Sequence, residues 1–373
     1  MSESSNILVV KIGTSTLIGA DGALDRPYLS SLALQLARVR DAGWAPIVVT
    51  SGAIGCGLEV LGIQKRPTDI PSLQAAASVG QVELSTAYAE AFSEAGLTSS
   101  LVLLTRHDTA SRSAYLHARD ALKRLLDLGV VPIVNENDAT SVEQIRFGDN
   151  DTLAALVACL IKARLCVIFS DIDGLYDGNP ADPSSQLIPS VDKITPEILG
   201  VAGGTGSTLG SGGMLTKVRA ARVLMIAGIP LVVCHGRAQD ALLHAIAGDA
   251  IGTRFAAARV PHEITNYKLW IALGDTAKGS LRVDDGARRA LVEKGSSLLA
   301  VGVRSVSGSC AKGDIVDVLD LAGHHVARGK VRASSDEVSL AAGHSQSELQ
   351  NNSVLAHLGQ HELIHRDEMV VFE

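Results

Sequence analysis

The stretch ILVVKIGTS, residues 7–15, sets the reading of this chain. Ile7 to Val10 are apolar without alternation, which predicts a strand (7–13) covered on both faces, as in a parallel sheet. Lys11 interrupts that run. Flanked by Val9, Val10 and Ile12, an ammonium costs solvation unless an anion meets it or an edge position lets it reach water. The backbone amides of Gly13-Thr14-Ser15 follow directly and suit an anion.

Working outward, the same rhythm recurs. Further strands are predicted at APIVVTS (45–51), SLVLLT (100–105), VVPIVNE (130–136), LCVIFSD (165–171) and IPLVVC (229–234). Helical spacing marks YLSSLALQLARVRDAG, AYLHARDALKRLLDLG and DTLAALVACLIKAR between them. Apolar strands alternating with helices predict an α/β fold: an open, mainly parallel sheet sandwiched by helices. Ligands of such sheets bind beyond the carboxyl ends of the strands. Polar residues gather at those ends: Lys11-Ile-Gly-Thr-Ser, Thr50-Ser-Gly-Ala, Asn135-Glu-Asn-Asp and Ser170-Asp171. One shared site is expected there.

Composition bounds the rest. Aromatics make up 3% of 373 residues, so small aliphatic side chains must fill the core, and the length predicts two domains. A net charge of −7 argues against a nucleic-acid surface spread over the whole protein. Cys56, Cys159, Cys166, Cys234 and Cys310 form no C-x-x-C pair and are expected as buried thiols in a reducing compartment. No signal peptide and no membrane span are expected, and the default location is the cytoplasm. Past residue 255 the rhythm changes. Residues 1–260 are read as the first domain, 261–276 as a linker, 277–355 as a small β-rich domain and 356–373 as a tail.

The candidate motifs carry different chemistry. GSGGMLTK (210–217) is glycine-rich and ends in Thr216-Lys217, yet Met214, Leu215 and Thr216 separate Gly213 from Lys217, which breaks the P-loop pattern. It is either an ordinary loop or a phosphate loop of another design. Thr216-Lys217 is taken to open the following helix. Ser51-Gly52-Ala53-Ile54-Gly55 fails the dinucleotide fingerprint and remains a tight turn able to present amides. Asn135-Glu136-Asn137-Asp138 and Gly148-Asp149-Asn150-Asp151 form the densest polar zone. One of the second group can cap a helix. The others could bind an ammonium, hold the lysines in place or ligate a divalent metal. Ser170-Asp171, followed by Gly174-Leu175-Tyr176-Asp177, can hold a ribose or adenine or be a plain loop. His324-His325 reads as a solvated turn.

In order, K-x-G-T-S, T-S-G-A-I, N-E-N-D, G-D-N-D, S-D-x-D-G-L-Y and G-x-G-G-M-x-T-K resemble the amino acid kinase superfamily, and within it the branch acting on glutamate. RVDDGARRAL and EKGSSLL resemble a PUA domain. The resemblance spans essentially the whole chain. It implies ATP-dependent phosphorylation of the L-glutamate side-chain carboxylate to L-glutamyl 5-phosphate, the first step of proline biosynthesis. Lys11 and Lys217 would act on the phosphates as catalytic groups, with Asp151 holding them. Ser51, Asp138 and Asn150 would bind glutamate. Lys11, Ser170, Asp171, Ser211, Gly212, Gly213, Met214, Leu215, Thr216 and Lys217 would line the ATP site. The family often has Thr where this chain has Ser170 and Ser211; both keep a hydroxyl. Mg²⁺ would arrive with the nucleotide, and no protein-held metal is expected. The resemblance also implies inhibition by proline, a homo-oligomer (dimer or tetramer) and hand-off to a glutamyl phosphate reductase. PUA domains elsewhere bind RNA, but charges in 278–355 nearly balance and RNA binding is not expected.

Overall fold

The computed structural model describes residues 6–19, 22–105, 112–140, 150–203, 213–257, 266–273, 277–353 and 355–372. The chain divides into two compact units, residues 1–263 and 264–373.

The first unit runs β1 (Asn6–Ile12), α1 (Thr14–Leu17), α2 (Arg26–Asp41), β2 (Trp44–Val49), α3 (Ala53–Val60), α4 (Ile70–Glu94), β3 (Thr98–Leu104), α5 (Arg112–Asp127) and β4 (Val130–Glu136). It continues with α6 (Asn150–Leu160), β5 (Leu165–Ser170), β6 (Ser190–Val191), α7 (Pro196–Ala202), α8 (Met214–Ile226), β7 (Leu231–His235), α9 (Ala241–Ala247) and β8 (Thr253–Phe255). These strands form one sheet in the order β3-β4-β2-β1-β5-β7-β8-β6. From β3 to β7 every pairing is parallel; β8 runs antiparallel to β7. The mainly parallel sheet expected from the apolar runs is therefore present, with a short antiparallel addition at one edge.

The chain lays down β2, β3 and β4 on one side of β1, then crosses back through α6 to place β5 on the other side. The reversal leaves a crevice at the carboxyl ends of β1 and β5, where open sheets of this kind bind ligands. Alternation along β1 decides which side chains face which layer. Leu8, Val10 and Ile12 enter a core shared with α2, α4 and α9. Val9 and Lys11 belong to the opposite face, where α6 packs on β1 and α8 packs on α6.

The second unit builds its own core around a five-stranded sheet. It contains α10 (Asn266–Leu273), β9 (Gly279–Val283), α11 (Asp285–Lys294), β10 (Val303–Gly308), β11 (Ile315–Leu319), β12 (His325–Lys330), α12 (Ser335–Ala341), α13 (Gln346–Gln350) and β13 (Met369–Val371). The strand order is β10-β9-β11-β12-β13. Two expected boundaries differ here. The stretch read as a linker carries α10, which packs on β12 and β13 and buries Ile271. Arg328 donates to the Ala272 carbonyl at its last turn, a favourable place for a cation at a helix end. The segment read as a tail supplies β13, which pairs antiparallel with β12. Three residues are too few to show a periodic pattern in sequence.

Candidate active site

Lys11 from β1 and Lys217 from the first turn of α8 meet at one carboxylate. Lys11 Nζ lies 2.8 Å from Asp151 Oδ1, and Lys217 Nζ lies 3.3 Å from Asp151 Oδ2. Thr216 Oγ1 donates to Asp151 Oδ2 at 2.7 Å. Lys11, Lys217 and Asp151 are 5%, 4% and 0% exposed, so all three charged groups are buried. Burial pushes the Asp151 carboxyl up, but Lys11 and Lys217 outweigh it and hold the group below its ordinary value. Gly13 follows Lys11 closely enough that a Cβ there would stand 3.4 Å from Lys11 Nζ. Gly213 caps α8 without a side chain, and its carbonyl accepts from the Thr216 amide at 3.1 Å. The helix starts at Met214, two residues before the expected Thr216, because Gly213 takes the extended capping conformation.

Asn150, the residue before Asp151, turns to the other side. Its Nδ2 lies 2.9 Å from Ser51 Oγ and 3.0 Å from Asn135 Oδ1, and it also donates to the Thr50 carbonyl. Two N–H bonds serve three acceptors, so one can be released to a ligand. Thr50 Oγ1 hydrogen-bonds Tyr88 Oη at 2.9 Å. Gly52 adopts φ +100° as the chain turns from β2 into α3, a conformation that favours glycine. The segment tested as a dinucleotide fingerprint is thus a turn and helix start that presents Ser51.

Asp138 lies beyond β4 and borders a groove of about 390 Å³ with Ala53, Gln81, Glu136 and Asn137. Burial pushes its carboxyl up to about 6, with Arg66 pulling the other way. Ser170 ends β5, buried, and its hydroxyl donates to Asp171 Oδ1 at 3.2 Å. Behind it, Gly174 sits against Thr253, whose hydroxyl accepts from the Leu175 amide at 2.8 Å and donates to the Ile188 carbonyl at 2.7 Å. A cleft at the strand ends thus has lysines on one side and neutral and acidic oxygen groups on the other, an arrangement suited to bringing a phosphate and a small zwitterion together.

Residues 6–235 match the amino acid kinase family, and residues 279–351 match the PUA domain. The glutamate 5-kinase of Geobacter sulfurreducens is 43% identical, covering 98% of this chain and 97% of its own length. That of Anaeromyxobacter dehalogenans is 44% identical over 98% and 96%. That of Paraburkholderia phymatum is 42% identical over 98% of each.

The chain belongs to the amino acid kinase family, among its glutamate 5-kinases.

In the kinase, Lys11, Lys217, Asp151 and Thr216 converge, as do Asn150 and Ser51. Met214 and Leu215 occupy the first turn of α8. Ser211, Gly212, Gly148 and Asp149 lie outside the described residues. All five cysteines are free and buried. No helix of the described residues is long and apolar enough to cross a membrane. His324 pairs with Asp320 at 3.1 Å in the exposed turn between β11 and β12, remote in sequence from the site. Reasoning from sequence did not single out Gln81, Ser85 or Tyr88. They lie inside the long helix α4, where a polar residue at helical spacing reads as surface.

Proposed function

We propose that this kinase transfers the γ-phosphoryl group of ATP to the side-chain carboxylate of L-glutamate, giving L-glutamyl 5-phosphate. The convergence of two buried lysines, Lys11 and Lys217, on the Asp151 carboxylate carries the reading. A carboxylate oxygen attacks the γ-phosphorus, the bond to the β–γ bridging oxygen breaks, and ADP leaves with that electron pair. Two anions must approach each other, so cations rather than a base are required; the nucleophile is already ionised at pH 7. Lys11 sits beside the Gly13 turn and Lys217 at the start of α8, so each can meet phosphate oxygens. Asp151 keeps both ammonium groups in register. Mg²⁺ bound to the nucleotide would offset further phosphate charge. Asp151 is already engaged by two lysines and Thr216, which fits it to orienting them rather than to holding a metal.

On the acceptor side, Ser51 and Asn150 would take the glutamate and Asp138 its ammonium. Ser170, Asp171 and the segment from Ser211 to Lys217 would line the nucleotide. The relatives' names support this substrate. The reading extends to inhibition by proline at or near the glutamate site, to a dimer or tetramer, and to delivery of the labile acyl phosphate to a reductase. Free cysteines fit a cytoplasmic enzyme. The test is trapping of glutamyl phosphate with hydroxylamine, with and without proline, beside ADP release with acetylglutamate, aspartate and UMP. Faster turnover of any of these than of glutamate would overturn the assignment.

A further inference from the structure

Behind Asn150 stands a directed chain of side-chain amides. Asn150 Nδ2 donates to Asn135 Oδ1 at 3.0 Å, and Asn135 Nδ2 donates to Gln81 Oε1 at 2.8 Å. Gln81 Nε2 donates to Ser85 Oγ at 3.1 Å, and Ser85 Oγ donates to the Gln81 carbonyl at 2.6 Å. Both ends are pinned by backbone carbonyls, which only accept. At one end the Gln81 carbonyl takes the Ser85 proton, so Ser85 Oγ must accept from Gln81 Nε2. At the other, the Thr50 carbonyl takes a proton from Asn150 Nδ2. Every amide between them therefore has one permitted orientation. Turning Gln81 over would turn Asn135 and set its Nδ2 against Asn150 Nδ2, donor against donor. The permitted orientation leaves Asn150 Oδ1 as the oxygen not used within the chain of amides.

We propose that Gln81, seated on Ser85, is a positioning residue that fixes Asn150 for the acceptor substrate. The inference rests on the reading that Asn150 holds glutamate, and the test separates the two. The variants are Gln81→Leu, Ser85→Ala, Ser85→Thr, Asn150→Ala and the double variant Gln81→Leu/Asn150→Ala. KM for glutamate and for ATP and kcat are measured on each, with thermal melting to confirm folding. Gln81→Leu is expected to raise KM for glutamate roughly tenfold, the size of losing one hydrogen bond to a buried polar group, with KM for ATP within about twofold. Ser85→Ala should move KM the same way and Ser85→Thr should restore it, which decides the matter even if Gln81→Leu fails to fold. In the Asn150→Ala background, Gln81→Leu should add nothing further. A glutamate KM unmoved by Gln81→Leu and Ser85→Ala while Asn150→Ala raises it overturns the relay alone. An unchanged KM in Asn150→Ala overturns the site reading and the relay with it. Full additivity in the double variant overturns action through Asn150, as would KM for both substrates rising together.

Discussion

Gly80 meets Gly57 backbone to backbone: a Cβ on Gly80 would stand 2.3 Å from the Gly57 nitrogen and 1.8 Å from the Ala53 carbonyl oxygen. The reverse holds too, since a Cβ on Gly57 would stand 1.7 Å from the Ala76 carbonyl oxygen. Neither glycine is there for a left-handed φ. Each is there because α3 and α4 cross with no room for a side chain. α3 begins just after Ser51 and α4 carries Gln81 and Tyr88, so on the proposed reading their spacing sets the acceptor side of the cleft. Gly80→Ala is expected to destabilise the protein by about 1–3 kcal/mol or more through overpacking, and to raise KM for glutamate more than KM for ATP. Thermal unfolding and steady-state kinetics check it; an unshifted Tm would show that the helices part freely.

The lysine pair gives a second prediction. Lys217→Ala should lower kcat by roughly 10²–10³, about 3–4 kcal/mol, as for loss of one preorganised charge-stabilising group. A near-normal kcat in folded variant would remove Lys217 from the chemistry.

Asp151→Asn strips the counter-charge from two buried ammonium groups, and breaking such a cluster costs about 3–5 kcal/mol. The sign with pH follows from the lowered carboxyl. Its contribution is fully present above the ordinary value of 3.8 and is lost as pH falls through its lower folded value. The gap in melting temperature between wild type and variant should therefore be widest near neutrality and narrow in acid below pH about 4. A gap that does not change with pH would contradict the ion-pair account.

Asp138 behaves oppositely. Its carboxyl, raised to about 6 by burial, must ionise to hold an ammonium. KM for glutamate should climb as pH falls below that value, approaching tenfold per unit, and Asp138→Asn should abolish that dependence. A raised carboxyl favours the fold below the unfolded value and loses that benefit as pH rises through 6. The same variant should thus melt higher than wild type at pH 8 while binding glutamate poorly, a trade of stability for function. Equal loss of glutamate and ATP affinity would argue against Asp138 as an ammonium partner.

Thr253 is fully buried, and its hydroxyl ties the loop after Ser170 to β8 through the Leu175 amide and the Ile188 carbonyl. Thr253→Val keeps the shape but orphans both groups, at about 1–3 kcal/mol each. Calorimetry should show the loss, and KM for ATP should rise with it.

Much of this was legible because burial writes itself into composition. Continuous apolar runs marked the buried strands β1, β2, β4, β5 and β7, and marked β3 although that edge strand is largely exposed; a lysine placed inside β1 pointed to the candidate site. The polar clusters at the strand ends drew attention to Ser51 and Ser170, and the acidic run expected to open a helix drew it to Asn150 and Asp151, before any geometry. What escaped notice has physical causes. The short β8 reads only as Thr-Arg-Phe, and its antiparallel direction depends on a partner far along the chain. Gly57 and Gly80 resemble weak helix positions until the crossing is seen. Gln81 lies 54 positions from Asn135, so only folding makes them neighbours.

Asn150 and Asp151 are adjacent in sequence, yet one grips the acceptor side and the other grips the lysines. Successive residues of a helix are separated by a fixed rise of about 1.5 Å. On the proposed reading, α6 acts as a ruler: it sets the span between where the amino acid is held and where the phosphoryl group waits. An acceptor one methylene shorter would present its carboxylate about 1 Å short, enough to cost about 10² in rate. Chain length of the substrate, rather than its charge, is then what the first two residues of one helix measure.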